Sequence, residues 1–194
     1  VELVGVDAVL AQRSSGRHHL FFSAHYGNWE IAAIAATQVG FAVTQVYRAP
    51  NNPLIDRLIQ QARGPLGGEL IPKGPAAARR LVESIAHGHA LAMLVDQKMN
   101  DGIAVPFFGR DAMTAPALAR LALRFNCAVV PVRVERTRGA HFRITAEPAL
   151  SLPRSGNDAA DTLALMTAVN GVIERWVRER PEQWFWLHRR WPDA

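Results

Sequence analysis

Two rhythms of apolar and polar positions alternate along this chain. Apolar stretches rich in β-branched or aromatic residues at 20–24, 41–47, 69–71, 90–95 and 128–135 predict strands, and 90–95 has the unbroken character of a central parallel strand. Between them, 31–38, 53–62, 76–87 and 116–125 carry helical spacing, with Leu54 and Leu58 on one side of the second and Pro116 in the first turn of the last. Asn28 is placed to cap the helix at 31–38. The longest helical pattern covers 158–180, with Leu163, Met166, Val169, Val172, Ile173 and Trp176 forming its apolar face.

Breaks in the rhythm punctuate these elements. Gly64, Pro65, Leu66, Gly67 and Gly68 interrupt the chain, and 151–157 reads as a loop. The stretch 98–115 loses periodicity around Gly102, Pro106, Gly109 and Thr114, which predicts a long functional loop. Arg136, Thr137, Arg138 and Gly139 are expected to join strands at 128–135 and 141–147 as a hairpin. The βαβα order predicts an α/β fold: a mostly parallel central sheet flanked by helices, in a single domain over 1–194 without internal repeats.

Composition adjusts this picture in three ways. With 49% hydrophobic residues in 194, the chain can bury a core that needs neither disulfides nor a structural metal. Its single cysteine, Cys127, sits in an apolar run and reads as a small buried hydrophobe, compatible with a reducing, cytoplasmic-side setting. No apolar stretch approaches the ~20 residues needed to cross a bilayer; the nearest is 31–36.

The net charge is +5, built from twenty Arg and two Lys. Guanidinium forks grip phosphate at two points, so this balance suits nucleic acid, phospholipid or phosphorylated glycolipid. A genome rich in G and C would produce the same balance with no functional cause, the Arg side chains then lying on solvated helix faces.

The candidate chemistry begins at His25 and Glu30, where the first apolar strand ends in Ser23-Ala24-His25-Tyr26-Gly27-Asn28-Trp29-Glu30. A turn there can fold Glu30 back toward one ring nitrogen of His25 and leave the other free as a base. Ligands of open α/β sheets bind outside the carboxyl ends of strands, and Gly27 with Asn28 offers a turn and a helix start at such an end. A hydrogen-bonded structural pair is the alternative.

The segment around this pair resembles the His-x4-Asp/Glu acyltransferases, and among them the lipid A biosynthesis acyltransferases that carry the Glu variant. The resemblance continues in Val46-Tyr47-Arg48-Ala49-Pro50-Asn51-Asn52-Pro53, Leu70-Ile71-Pro72-Lys73-Gly74, Leu94-Val95-Asp96-Gln97-Lys98, Val105-Pro106-Phe107-Phe108-Gly109 and the aromatic-basic run from Trp184 to Trp191. It implies a glycerolipid acyltransferase-like fold and an O-acyltransferase that passes a fatty acyl group from an acyl carrier protein thioester to a hydroxyl of a phosphorylated lipid A precursor. It also implies work at the cytoplasmic face of the bacterial inner membrane, with no cofactor beyond the acyl carrier protein co-substrate. The family usually carries a hydrophobic N-terminal anchor, which this sequence is expected to lack. The glycerolipid branch typically has a Glu-Gly-Thr phosphate motif; the corresponding region here reads Val105 to Gly109, which argues against a glycerol phosphate acceptor. Another glycolipid or a lysophospholipid stays open as acceptor.

Further site candidates follow from strand ends and from the resemblance together. Arg48 and the pair Asp96 and Gln97 end strands that can converge on His25, and the resemblance assigns Tyr47, Arg48, Asp96 and Gln97 to the active-site region. Arg48 contacts substrate or pairs with Asp96. Lys73 with Gly74 precedes a helix and can receive an anion. Phe107 and Phe108 line an acyl tunnel or anchor their loop, while Thr114 contacts substrate or caps the next helix. Trp184, Trp186 and Trp191, flanked by Arg189 and Arg190, suit a membrane headgroup layer or close the core by stacking, and His188 admits a structural role.

In this reading His25 deprotonates the acceptor hydroxyl, Glu30 stabilises the imidazolium, and donors near the turn hold the oxyanion. Ser23 is a packing residue and no acyl-enzyme is needed. A metal hydrolase is the first rival, but His18, His19 and His25 lack a ligand pattern such as His-Glu-x-x-His. An Arg-rich nucleic-acid-binding module is the second, without a recognisable binding signature.

Overall fold

The computed structural model describes residues 1–13, 16–64, 69–74 and 76–191. Its centre is β2 (His19–Ser23), every residue of which is buried because helices cover both faces of the sheet. Alternate side chains feed two cores: Leu20 and Phe22 join the larger one with Leu91, Leu118, Met166 and Trp176, and Phe21 joins Val9, Phe41 and Val43 on the opposite face.

The main sheet is built, in chain order, from β1 (Glu2–Val4), β2, β3 (Val43–Tyr47), β4 (Leu70–Pro72), β5 (Ala90–Leu94), β8 (Ala128–Arg138) and β9 (His141–Ala146). Across this seven-stranded sheet the order is β1-β9-β8-β2-β5-β3-β4. Pairings from β8 through β4 are parallel, and β9 turns back antiparallel on β8 through the expected hairpin. The remaining strands, β6 (Ile103–Phe107) and β7 (Arg110–Thr114), form a separate antiparallel pair.

Among the described residues six α-helices complete the fold: α1 (Val6–Arg13), α2 (Glu30–Gln38), α3 (Pro53–Arg63), α4 (Ala77–Ala86), α5 (Ala117–Phe125) and α6 (Asp158–Glu179). Residues ahead of Leu20 carried no predicted element, yet they supply β1 and α1. The break expected at 64–68 lies, after Gly64, outside the described residues.

Two expectations need correction. The stretch 98–115 is a hairpin rather than a loop: Phe108 and Gly109 both have positive φ, 53° and 73°, which makes the two-residue turn whose twist matches paired strands. Val105, Phe107, Ala112 and Thr114 point inward at alternate positions, and Pro106, whose carbonyl receives Nδ2 of Asn170 at 3.2 Å, sits on a two-stranded ribbon where proline is tolerated. Asn28 does not cap α2 with its side chain. The helix begins at Glu30 with Trp29 in the cap position, and the backbone carbonyl of Asn28 receives the N–H of Ile31 at 3.2 Å.

Strand order places the site. The chain leaves β2 toward β3, on one side of β5, and leaves β5 through the hairpin and α5 toward β8, on the other side of β2. Neighbouring parallel strands whose continuations diverge leave a crevice at their carboxyl ends. His25 and Asp96 follow those two strands.

Candidate active site

Register brings His25 to Asp96. Ser23 stands opposite Leu94 in the β2–β5 pairing, so the residues two positions further on, His25 and Asp96, leave the sheet side by side. Nδ1 of His25 lies 2.8 Å from Oδ1 of Asp96, and the His25 backbone N–H donates to Oδ2 at 2.9 Å. Trp184 Nε1–H donates to the same Oδ2 at 3.0 Å.

These donors decide the protonation of a carboxylate that is only 3% exposed. Burial pushes the Asp96 carboxyl up, but the His25 imidazole, the Trp184 indole and the His25 backbone N–H outweigh burial and hold it below the ordinary carboxylate range. An ionised Asp96 fixes the proton of neutral His25 on Nδ1. Nε2 is then the acceptor, and it receives the side-chain amide N–H of Gln97 at 3.3 Å.

Glu30 does not take the role expected of it beside His25. α2 starts at Glu30 itself, and its carboxylate forms an ion pair with the guanidinium of Arg63, on α3. The orienting carboxylate comes instead from the neighbouring strand.

The turn that presents His25 is pinned from the C-terminal segment. Beyond α6 a 3-10 turn, Pro181–Gln183, leads into residues 184–191, where the Gln183 carbonyl receives the N–H of Gly27 at 2.8 Å and the Phe185 N–H donates to the His25 carbonyl at 2.7 Å. Gly27 has φ of 58°, and a Cβ there would meet the Val134 carbonyl oxygen at 2.1 Å, so this turn requires glycine. Tyr26, fully buried beneath, donates its hydroxyl to the Trp176 carbonyl.

His25 opens onto a cavity of about 1240 Å³ that extends into apolar walls on both sides of the sheet, including Val9, Phe21, Ala33 and Phe41 on one side and Ala77, Leu81 and Leu118 on the other. Its charged lining, among the described residues, is five cations, Arg48, Arg63, Lys73, Lys98 and Arg189, against the single carboxylate of Glu30. Apolar depth beneath a cationic rim suits a long hydrocarbon chain with an anionic head.

A profile of the bacterial lipid A biosynthesis acyltransferases matches residues 1–193. This chain belongs to that family. Similar curated proteins include a lipid A biosynthesis acyltransferase of Haemophilus influenzae, 23% identical over 190 residues, covering 96% of this chain and 57% of that protein. A lipid A biosynthesis lauroyltransferase of Escherichia coli is 26% identical, covering 97% and 61%. A phosphatidylinositol mannoside acyltransferase of Mycolicibacterium smegmatis is 24% identical, covering 98% and 62%. The chain spans about three-fifths of the length of these relatives.

Within this member of the lipid A biosynthesis acyltransferase family, the other sequence candidates divide between cavity and scaffold. Tyr47, Arg48, Lys73 and Gln97 line the cavity; Tyr47 also donates its hydroxyl to Asp56 at 2.9 Å and receives Nε2 of Gln60 at 3.2 Å. Arg48 is not the partner of Asp96, whose oxygens are taken by His25 and Trp184. Asn28 contributes its carbonyl to the start of α2.

Phe108 and Thr114 are outside the cavity lining and make contacts within the scaffold. Phe108 is the turn of the hairpin, its N–H donating to Glu174 at 2.6 Å and its ring packing on Phe107 and Trp191. Thr114 is fully buried, donates to the Ala112 carbonyl and receives Nη2 of Arg190 at 2.7 Å, so it caps nothing. The aromatic-basic end closes the core only in part. Trp184 and Trp191 pack on the core with Phe107, whereas Phe185, Trp186 and Leu187 are exposed.

Neither alternative nucleophile is equipped. Ser23 Oγ turns to the Ala24 carbonyl at 3.5 Å, and burial pushes the Cys127 thiol up to about 11. Among the described residues no three His, Cys, Asp or Glu side chains gather as a metal site. Trp184 and Arg63, which hold Asp96 and Glu30, had no signal of spacing that linked them to the site.

Proposed function

We propose that this chain transfers a fatty acyl group from an acyl carrier protein thioester to a hydroxyl of a phosphorylated, lipid A-type glycolipid. The observation that carries the reading is the acceptor Nε2 of an Asp96-oriented His25 in the wall of a largely apolar cavity whose charged lining, among the described residues, is mostly cationic.

In the reaction Nε2 takes the proton of the acceptor hydroxyl as its oxygen attacks the thioester carbonyl. Asp96 stabilises the imidazolium across the bond to Nδ1. The Gln97 amide, which donates to Nε2, is released when the acceptor hydroxyl takes its place there and then donates to the developing oxyanion. Collapse of the tetrahedral intermediate breaks the carbon–sulfur bond, and the imidazolium returns its proton to the departing thiolate. The ester, a free thiol and neutral His25 remain, and no acyl-enzyme forms.

Glu30, within this reading, acts through Arg63: it steadies the guanidinium at the rim, where Arg48, Lys73 and Arg189 join it to hold acceptor phosphate or the acidic surface of the carrier protein. The acceptor belongs to a membrane, and the cytoplasmic face of the bacterial inner membrane is where it meets an acyl carrier protein. No described helix is long and apolar enough to cross a bilayer. The same cations would tolerate nucleic acid, but they surround an apolar cavity that a polynucleotide leaves unfilled.

The experiment is a transfer assay with labelled acyl thioesters on acyl carrier protein or on coenzyme A, against phosphorylated glucosamine lipids, lysophospholipids and dephosphorylated controls. The reading expects transfer from the carrier protein to the phosphorylated glucosamine lipid above all other combinations. Equal use of a dephosphorylated acceptor would contradict the role of the rim.

A further inference from the structure

α3 is an amphipathic helix turned inside out. Surface helices of soluble proteins bury an apolar stripe and expose a polar one. Here Asp56, Gln60 and Arg63 face the body, bonded to Tyr47 and Glu30, while Leu54, Ile55 and Leu58 are 66%, 45% and 60% exposed and no described side chain of the helix is buried. Polar contacts and the Asn52 cap, whose Oδ1 receives the Leu54 N–H at 2.9 Å, hold the helix with its apolar side outward.

A second exposed apolar group stands across the mouth of the cavity. Phe185, Trp186 and Leu187 are 55%, 60% and 70% exposed, and together with the three α3 residues they account for half of the twelve large exposed hydrophobics of the described chain. One bridge links the two groups: Arg63 pairs with Glu30, and the neighbouring Trp29 ring lies 5.9 Å from that of Phe185. The cavity that His25 opens into lies between them, lined by Ile59 and Arg63 on one side and His188 and Arg189 on the other.

We infer that α3 and residues 185–187 form a surface that docks on an anionic lipid bilayer and sets the cavity mouth against it. This rests on the reading above that the acceptor is a lipid. Leu and Phe side chains with an indole enter the headgroup boundary, and nearby cations attract anionic headgroups. Arg48, Arg57 and Lys73, all exposed, supply that charge. A second copy of the chain fits poorly, because a two-fold contact would set one cationic rim against another. The lipid acceptor would then pass from the bilayer into the cavity without crossing water.

The test measures co-sedimentation of the chain with vesicles of phosphatidylcholine alone and of phosphatidylcholine mixed with phosphatidylglycerol, for the parent, a Leu54→Glu/Leu58→Glu variant and Leu187→Glu. Circular dichroism checks that each variant is folded. The parent is expected to bind the anionic vesicles and to prefer them over neutral ones, with each variant about tenfold weaker. Quenching of the parent's tryptophan fluorescence by brominated lipid gives a reading that needs no variant.

Failure of the parent to bind either vesicle, or equal binding by parent and variants, overturns the inference. So does a dimer dissolved by these substitutions in a chain that ignores vesicles. Acyl transfer to acceptor dispersed in detergent, measured in parallel, separates the two proposals. Variants that transfer in detergent but lose transfer in vesicles support the docking surface. Vesicle binding by a parent that transfers in neither form also supports it and overturns the enzymatic reading alone.

Discussion

Asp96 Oδ1 sits 2.8 Å from Nδ1 of His25, although 71 positions separate the two residues in the chain. The contact follows from the parallel pairing of β2 with β5, which carries both residues to the same edge in the same register. A carboxylate supplied by a neighbouring strand thus fixes the imidazole, and the nearby Glu30 is left to Arg63.

Replacing Asp96 by Asn tests that assignment. An amide at this position can donate to Nδ1, which moves the imidazole proton to Nε2 and removes the free base. Acyl transfer should fall by roughly 10³ to 10⁴, the scale seen when the orienting acid of a triad is made an amide. Nitrogen NMR of the His25 ring should report the tautomer change directly, and an unaltered ring signal would place the orienting group elsewhere.

The same carboxylate gives stability a pH dependence. Its folded pKa lies below the ordinary 3.8, so its contribution is complete above that value and is lost as pH falls through the folded pKa. Urea midpoints measured between pH 6 and pH 2 should fall more steeply for the parent than for Asp96→Asn. Parallel curves would show that the carboxylate is not held down in the fold.

Much of this architecture was legible in sequence because it rests on local pattern. The apolar runs of β2, β3, β5 and β8 and the periodicity of α6 are properties of short windows, and each element lies within a few residues of its predicted bounds. Strand ends predict His25, Arg48 and Gln97 near one edge, a helix start points to Lys73, and all four line the cavity. The partner of the His25 imidazole is not legible in this way. The pattern marks Asp96 as a strand-end acid, but choosing it over Glu30 needs the strand order. The hairpin at Phe108 and Gly109 is not legible because a Phe-Gly turn, with a bulky residue at positive φ, lacks the Asn-Gly signature.

Glu30→Gln separates orientation of the rim from chemistry. The Arg63 pair is substantially exposed, 23% and 44% at its two side chains, and pairs of this type contribute about 0–1 kcal/mol to stability. The variant should therefore keep its melting temperature, while KM for a phosphorylated acceptor rises about tenfold or more and kcat changes less. A collapse of kcat at unchanged KM would return Glu30 to the reacting centre.

Cys127 should be chemically silent in the native chain. It is 1% exposed, and burial raises its thiol to about 11, so almost no thiolate is present at pH 8. An aromatic disulfide reagent should label it only after denaturation, with no effect on native acyl transfer. Fast labelling at pH 8 would contradict its burial.

The most direct measurement of the central claim is single-turnover acyl transfer from a labelled carrier-protein thioester to a lipid hydroxyl by the parent and by His25→Ala. The account predicts labelled ester with the parent and a loss of on the order of 10³-fold or more with the variant. Transfer by His25→Ala at the parent's rate would contradict it.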